Sequence, residues 1–109
     1  MARPRVLILD EPCAGLDPVA REHFLQFLDR LGRAAGAPTL ILVTHHVEEI
    51  TPVFTHALLL RAGRVTASGP VEDVLTSRHL SAMFGSPVSL SHSGSRWHLA
   101  IRSRTRRLM

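Results

Sequence analysis

The stretch Val6-Leu7-Ile8-Leu9-Asp10-Glu11-Pro12 decides the fold. Four aliphatic residues in a row, with no polar alternation, suit a strand covered on both faces of a parallel sheet, and the run ends abruptly in two carboxylates and a proline. Cys13-Ala14-Gly15-Leu16 reads as a loop, and Asp17-Pro18 as an N-cap aspartate with proline at the first helical position. A crossover helix is expected from there. Ala20, Phe24, Phe27, Leu28 and Leu31 recur on its core face, Arg21, Glu22, Asp29 and Arg30 lie off it, and Gly32 or Gly36 stops it. Thr39-Leu40-Ile41-Leu42-Val43-Thr44 repeats the buried-strand pattern and ends in His45-His46. Strand, helix and strand make one βαβ unit with a right-handed crossover, so both strands end on the same edge. Asp10, Glu11 and His45 share that edge.

Farther along, residues 47–53 read as a short helical turn interrupted by Pro52. Ala57-Leu58-Leu59-Leu60-Arg61 and Arg64-Val65-Thr66-Ala67-Ser68 read as a hairpin turning at Ala62-Gly63. Residues 70–75 suit a short helix, and Ser77 suits the cap of another that runs through Leu80 and Phe84 to Gly85. Residues 88–90 and 96–101 suit a second hairpin around Ser93-Gly94-Ser95, packed by Trp97. The fold class is therefore α/β: a partial parallel βαβ sheet followed by a β-hairpin and short C-terminal helices. The chain divides into residues 1–85, a possible terminal hairpin at 86–101, and a basic tail at 102–109.

Composition narrows the partners. The 109 residues carry a net charge of +4, from 13 arginines and no lysine against 9 acids. Arg102, Arg104, Arg106 and Arg107 fall in the last eight residues, which leaves 9 basic against 9 acidic side chains in the body. A neutral body with a short basic tail lacks an extended phosphate-binding surface, so no nucleic-acid partner is expected. No apolar run approaches the ~20 residues needed to span a bilayer, and no insertion into the membrane is expected. The single cysteine, Cys13, allows no intrachain disulfide and suits a reducing, cytoplasmic setting.

The shared edge is where the chemistry lies. Open α/β sheets bind ligands beyond the carboxyl ends of their strands. A strand-terminal aspartate followed by glutamate suits phosphoryl transfer, the first holding Mg²⁺ and the second orienting and deprotonating an attacking water. A histidine on the neighbouring strand end suits a contact to the γ-phosphate that reports its presence. Adjacent side chains diverge, so His45-His46 makes a poor metal pair. Asp17 is explained by capping alone, with or without a further role.

At these residues the sequence resembles the ATP-binding cassette (ABC) proteins. Residues 6–12 look like the Walker B strand, Gly15-Leu16-Asp17-Pro18 like the D-loop, and Val43-Thr44-His45 like the switch-histidine segment. The hairpin through Gly69, followed by Pro70-Val71-Glu72-Asp73-Val74-Leu75, is similar to the end of the cassette. The resemblance implies a partial P-loop NTPase-like sheet, with Asp10 at the metal site, Glu11 as the catalytic glutamate, Asp17 as the D-loop aspartate and His45 as the switch histidine. His46, where many members have aspartate, and the following Val47-Glu48-Glu49-Ile50 resemble cassettes grouped with molybdate or iron-chelate uptake.

The same resemblance implies ATP and Mg²⁺ as cofactors, a second cassette and a membrane permease subunit as partners, and a place at the inner face of the cell membrane. The alternative is a soluble ABC ATPase acting on ribosomes or DNA. An active cassette also needs a G-x-x-x-x-G-K-[ST] loop around the phosphates. The glycines at 15, 32, 36, 63, 69, 85 and 94 contain no pair at that spacing, and the Leu-Ser-Gly-Gly-Gln signature is missing too. The expectation is a fragment of a cassette that is inactive alone, with one unpaired edge on its first strand and poor stability.

Overall fold

The computed structural model describes residues 5–102. The proposed basic tail lies outside the described residues apart from Arg102. The chain forms two compact units, Met1–Val53 and Phe54–Met109.

The first unit is the βαβ element. Strand β1 (Val6–Asp10) pairs in parallel with β2 (Thr39–Val43), with Val6 opposite Thr39 and Asp10 opposite Val43. Helix α1 (Pro18–Arg33) connects them, with Asp17 at its N-cap and proline at its first position. Gly32 does not stop the helix, which continues to Arg33, and Gly36 takes a φ of +73° in the turn that follows. Asp29 near the end of α1 accepts from the Val53 amide at 3.2 Å through Oδ1 and pairs with Arg33 at 2.7 Å through Oδ2.

Two expectations about the core fail here. The strands are not covered on both faces: Leu7, Leu9, Leu40 and Leu42 are half-buried on one side, while Val6, Ile8, Ile41 and Val43 on the other are exposed, Ile8 at 63%. A two-stranded sheet with one crossover helix can cover only one face, and a continuous aliphatic run says nothing about how many layers surround it. On α1, Leu25 and Leu28 are the fully buried positions, and Phe27 is 49% exposed. Leu25 and Leu28 are spaced i, i+3, which rotates the core stripe by about one residue from the one the aromatics suggest.

The second unit holds two hairpins and two short helices. Strands β3 (His56–Arg61) and β4 (Arg64–Pro70) pair antiparallel around Ala62 and Gly63, both at positive φ as a tight primed turn demands. A bulge falls between Leu59 and Leu60; Thr66 is the extra residue, and its hydroxyl donates to the Leu59 carbonyl at 3.3 Å. Helix α2 (Val71–Val74) follows directly, and α3 (Ser77–Phe84) is capped by Thr76 rather than Ser77, the Thr76 hydroxyl accepting from the His79 amide at 3.1 Å.

Ser77 is instead a tie between elements. Its hydroxyl accepts from Leu90 at 2.9 Å, and Ser81 both accepts from and donates to Val88, which binds α3 to β5 (Val88–Ser93). Strand β6 (Arg96–Ile101) completes the second hairpin, where Trp97 stacks on His92 with centroids 4.0 Å apart. The buried apolar residues of this unit are Leu59, Val71, Val74, Leu75, Leu80 and Val88. Among the described residues no helix is long and apolar enough to cross a membrane.

Candidate functional site

Parallel pairing places the end of β1 beside the end of β2. Asp10 closes β1 and lies exposed, and the next residue extends the pairing through a bond from the Glu11 amide to the Val43 carbonyl at 2.8 Å. Glu11 then leaves the sheet at a φ of +49°, in the left-handed region where Cβ crowds the following carbonyl oxygen. The Ala14 amide donates to the Glu11 carbonyl at 3.1 Å and closes that turn. Strain of this kind persists where the surroundings over-determine the backbone, and here it sits on the second carboxylate of the pair.

His45 lies two residues past the last paired position of β2, and its Nδ1 meets Oε2 of Glu11. The imidazole side chain is otherwise open, 82% exposed against 29% for Glu11. Two residues 34 positions apart in the sequence are thus joined at one sheet edge. Asp17 is not part of that contact. Its Oδ1 accepts from the Ala20 amide at 2.8 Å and its carbonyl from the Arg21 amide at 2.9 Å, so the carboxylate is used as the α1 cap.

Two residues beside His45 escaped the sequence pattern. The Thr44 hydroxyl donates to Oε1 of Glu49 at 2.6 Å and accepts from the His46 amide at 3.0 Å. Glu49 is 2% exposed, in a short 3-10 turn (Val47–Glu49) where a longer helical segment is expected from the sequence. Of the adjacent acids Glu48 and Glu49, only the second is buried. The available signal is the turn itself: Val47 and Glu49 point inward together, which helical periodicity over 47–53 does not suggest.

Cys13 also packs near this edge. Burial pushes its thiol above the ordinary range, the Glu49 carboxylate pushes it further, Arg21 opposes the shift and Glu11 adds to it. The thiol is therefore a protonated core group rather than a nucleophile.

Among the described residues no cluster of three or more metal-ligating side chains occurs. The exposed Asp10 carboxylate at the strand end is an oxygen donor of the type a hard divalent cation takes, with water and phosphate oxygens left to complete its coordination. A triphosphate fits less well: no lysine and no glycine loop of phosphate-binding spacing occurs among the 109 residues.

Comparison with known proteins agrees with the arrangement of motifs. Residues 1–51 match the family model described as "AAA domain, putative AbiEii toxin, Type IV TA system". The chain is 49% identical over 88 residues to the "Uncharacterized ABC transporter ATP-binding protein YlmA" of Bacillus subtilis, a match covering 81% of this chain and 33% of that protein. It is 35% identical to the "Molybdenum import ATP-binding protein ModC" of Pseudomonas syringae, covering 87% of this chain and 26% of that one. The fold is similar to that of a structure described as "An inward-facing conformation of a putative metal-chelate type ABC transporter", with a TM-score of 0.79 at 23% identity, covering 92% of this chain and 41% of the other. The chain thus spans about a quarter to a third of the length of the curated relatives named here. With a Walker B-like strand, a D-loop-like turn and a histidine at the next strand end, in that order, the chain is homologous to a segment of the ABC transporter ATP-binding proteins.

Proposed function

We propose that the chain carries the hydrolytic edge of an ATP-hydrolysing subunit of an ABC transporter and is inactive without the phosphate-binding part of a cassette. The contact between Glu11 and His45 at the end of the β1–β2 pair carries this reading. Bound Mg²⁺–ATP would supply the phosphoryl group and the charge neutralisation.

The chain's own residues do the rest. Asp10 holds the cation, directly or through water. Glu11, aimed out of the sheet by its left-handed backbone, orients the attacking water and takes its proton. His45 Nδ1 lies against Oε2 of Glu11, a carboxylate oxygen with no hydrogen-bond partner of its own, and in this reading the contact keeps the two groups together while the exposed part of the ring faces the γ-phosphate. Asp17 fixes the start of α1 and the loop before it, the segment that meets a second cassette in this reading. A membrane permease subunit then takes up the closing motion at the cytoplasmic face. The names of the relatives favour this over a soluble ABC ATPase on ribosomes or DNA, since each is described as a transporter or import protein.

The test is ATP hydrolysis by the product of the gene's full reading frame, unsubstituted and with Glu11→Gln. The substitution is expected to lower kcat by about 100-fold or more while ATP still binds, the range for loss of a general base. The 109-residue chain alone is expected to hydrolyse none. Unchanged turnover in Glu11→Gln would refute the role given to the carboxylate.

A further inference from the structure

We infer that Thr44 and Glu49 are positioning residues for His45, Glu49 acting through Thr44; the functional meaning of this assignment rests on the switch role proposed for His45. The starting observation is a buried carboxylate with no catalytic task. Glu49 is 2% exposed, and among the described residues its bonded partner is a hydroxyl rather than a cation. Burying a carboxylate is unfavourable unless it accepts strong hydrogen bonds, and an apolar residue would fill the same space without that cost. What the carboxylate obtains in return is a direction for one proton.

A threonine hydroxyl has one proton and two lone pairs. Glu49 takes the proton at 2.6 Å, so the lone pairs of Thr44 Oγ1 are left to accept, and the His46 amide donates into them at 3.0 Å. That bond spans the His45 backbone. From the other side the Glu49 amide donates to the His46 carbonyl at 3.1 Å, closing the turn a second time. His45 is therefore bracketed on both sides, although its side chain is 82% exposed. The ring reaches Glu11 because its backbone is set. Among the described residues no hydrogen bond or ion pair joins Thr44 or Glu49 to Glu11, so the effect assigned to them runs through the His45 backbone.

The experiment uses the 109-residue chain labelled with ¹⁵N at histidine and backbone, without nucleotide. The position of the His45 Nδ1 resonance is referenced to Glu11→Ala, where its partner is gone. Thr44→Val keeps the branched shape but has no hydroxyl; it is expected to move His45 Nδ1 to the Glu11→Ala position and to abolish protection of the His46 amide. Thr44→Ser restores the hydroxyl and is expected to return both signals to those of the unsubstituted chain. A His45 resonance unmoved by Thr44→Val overturns the inference. So does a shift that Thr44→Ser fails to reverse.

Should Thr44→Val not fold, the unsubstituted chain decides by itself. Exchange of the His46 amide slowed by about tenfold or more supports the inference, and exchange at the open-chain rate overturns it. No step requires hydrolysis. If Glu11→Gln leaves ATP turnover intact, the functional reading falls while the His45 signals stand, and the converse outcome is equally distinct.

Discussion

Glu11 combines two properties that pull against each other. Its carboxylate is the group given the proton-handling role, yet its backbone sits at a φ of +49°, which costs a non-glycine residue about 1 kcal/mol. Glu11→Gly removes side chain and strain together, whereas Glu11→Ala removes the side chain alone. Denaturant melts are expected to rank Glu11→Gly above Glu11→Ala by about 1 kcal/mol, and equal midpoints would show that the turn carries no strain. Cys13 gives a pH signature. Its folded thiol is held above the ordinary range by burial and then by Glu49, so between the unfolded and folded values the unfolded chain has lost a proton that the folded chain retains. The contribution is fully present below the ordinary thiol range and declines as pH rises through the alkaline range. Cys13→Ser should flatten that alkaline decline in a series of melts at increasing pH.

At the scale of elements, α1 ends against a close neighbour rather than at a helix-breaking glycine. A Cβ at Gly32 would overlap Val53 Cγ2 and lie 3.2 Å from Leu40 Cδ1. Alanine in a helix interior is ordinarily favoured over glycine by about 1 kcal/mol, so a propensity argument predicts that Gly32→Ala stabilises. The packing argument predicts the opposite. Gly32→Ala is expected to lower the melting temperature, and Val53→Ala in the same chain to recover part of the loss, a coupling that a double-mutant cycle measures. The α3 helix shows the other kind of end: Gly85 takes the left-handed C-cap, and the Arg61 guanidinium donates to the Ala82 carbonyl at 2.7 Å, satisfying a terminal acceptor with a cation where the helix dipole favours one.

For the whole molecule the dominant fact is uncovered apolar surface. Val6, Ile8, Ile41 and Val43 lie bare on one face of the β1–β2 pair, and Leu58, Leu60 and Val65 are exposed on the first hairpin of the other unit. Among the described residues β1 pairs only with β2, leaving its other edge open. Exposed aliphatic strands with an open edge promote association. Light scattering on the purified chain is expected to show mass rising with concentration, and Ile8→Thr with Ile41→Thr to reduce it; a monomer at all concentrations would contradict this.

The order of strand, loop, capped helix, strand and histidine was legible from residue types alone, because each signal is local: an aliphatic run, an Asp-Pro helix start, a tight turn at Ala62-Gly63. The shared edge of Asp10, Glu11 and His45 also followed, since a βαβ crossover has one hand and therefore one arrangement of strand ends. What tertiary structure alone decided is which side of each element faces a neighbour. The aliphatic runs of β1 and β2 look buried throughout but have one bare face, Phe27 looks like core but Leu25 fills it, and Gly32 looks like a stop but is a packing contact. Glu49 is the plainest case, since a charged residue reads as solvated until a specific hydroxyl is brought to it. Burial depends on what lies opposite in space, and a local pattern carries that only when both partners belong to the same element.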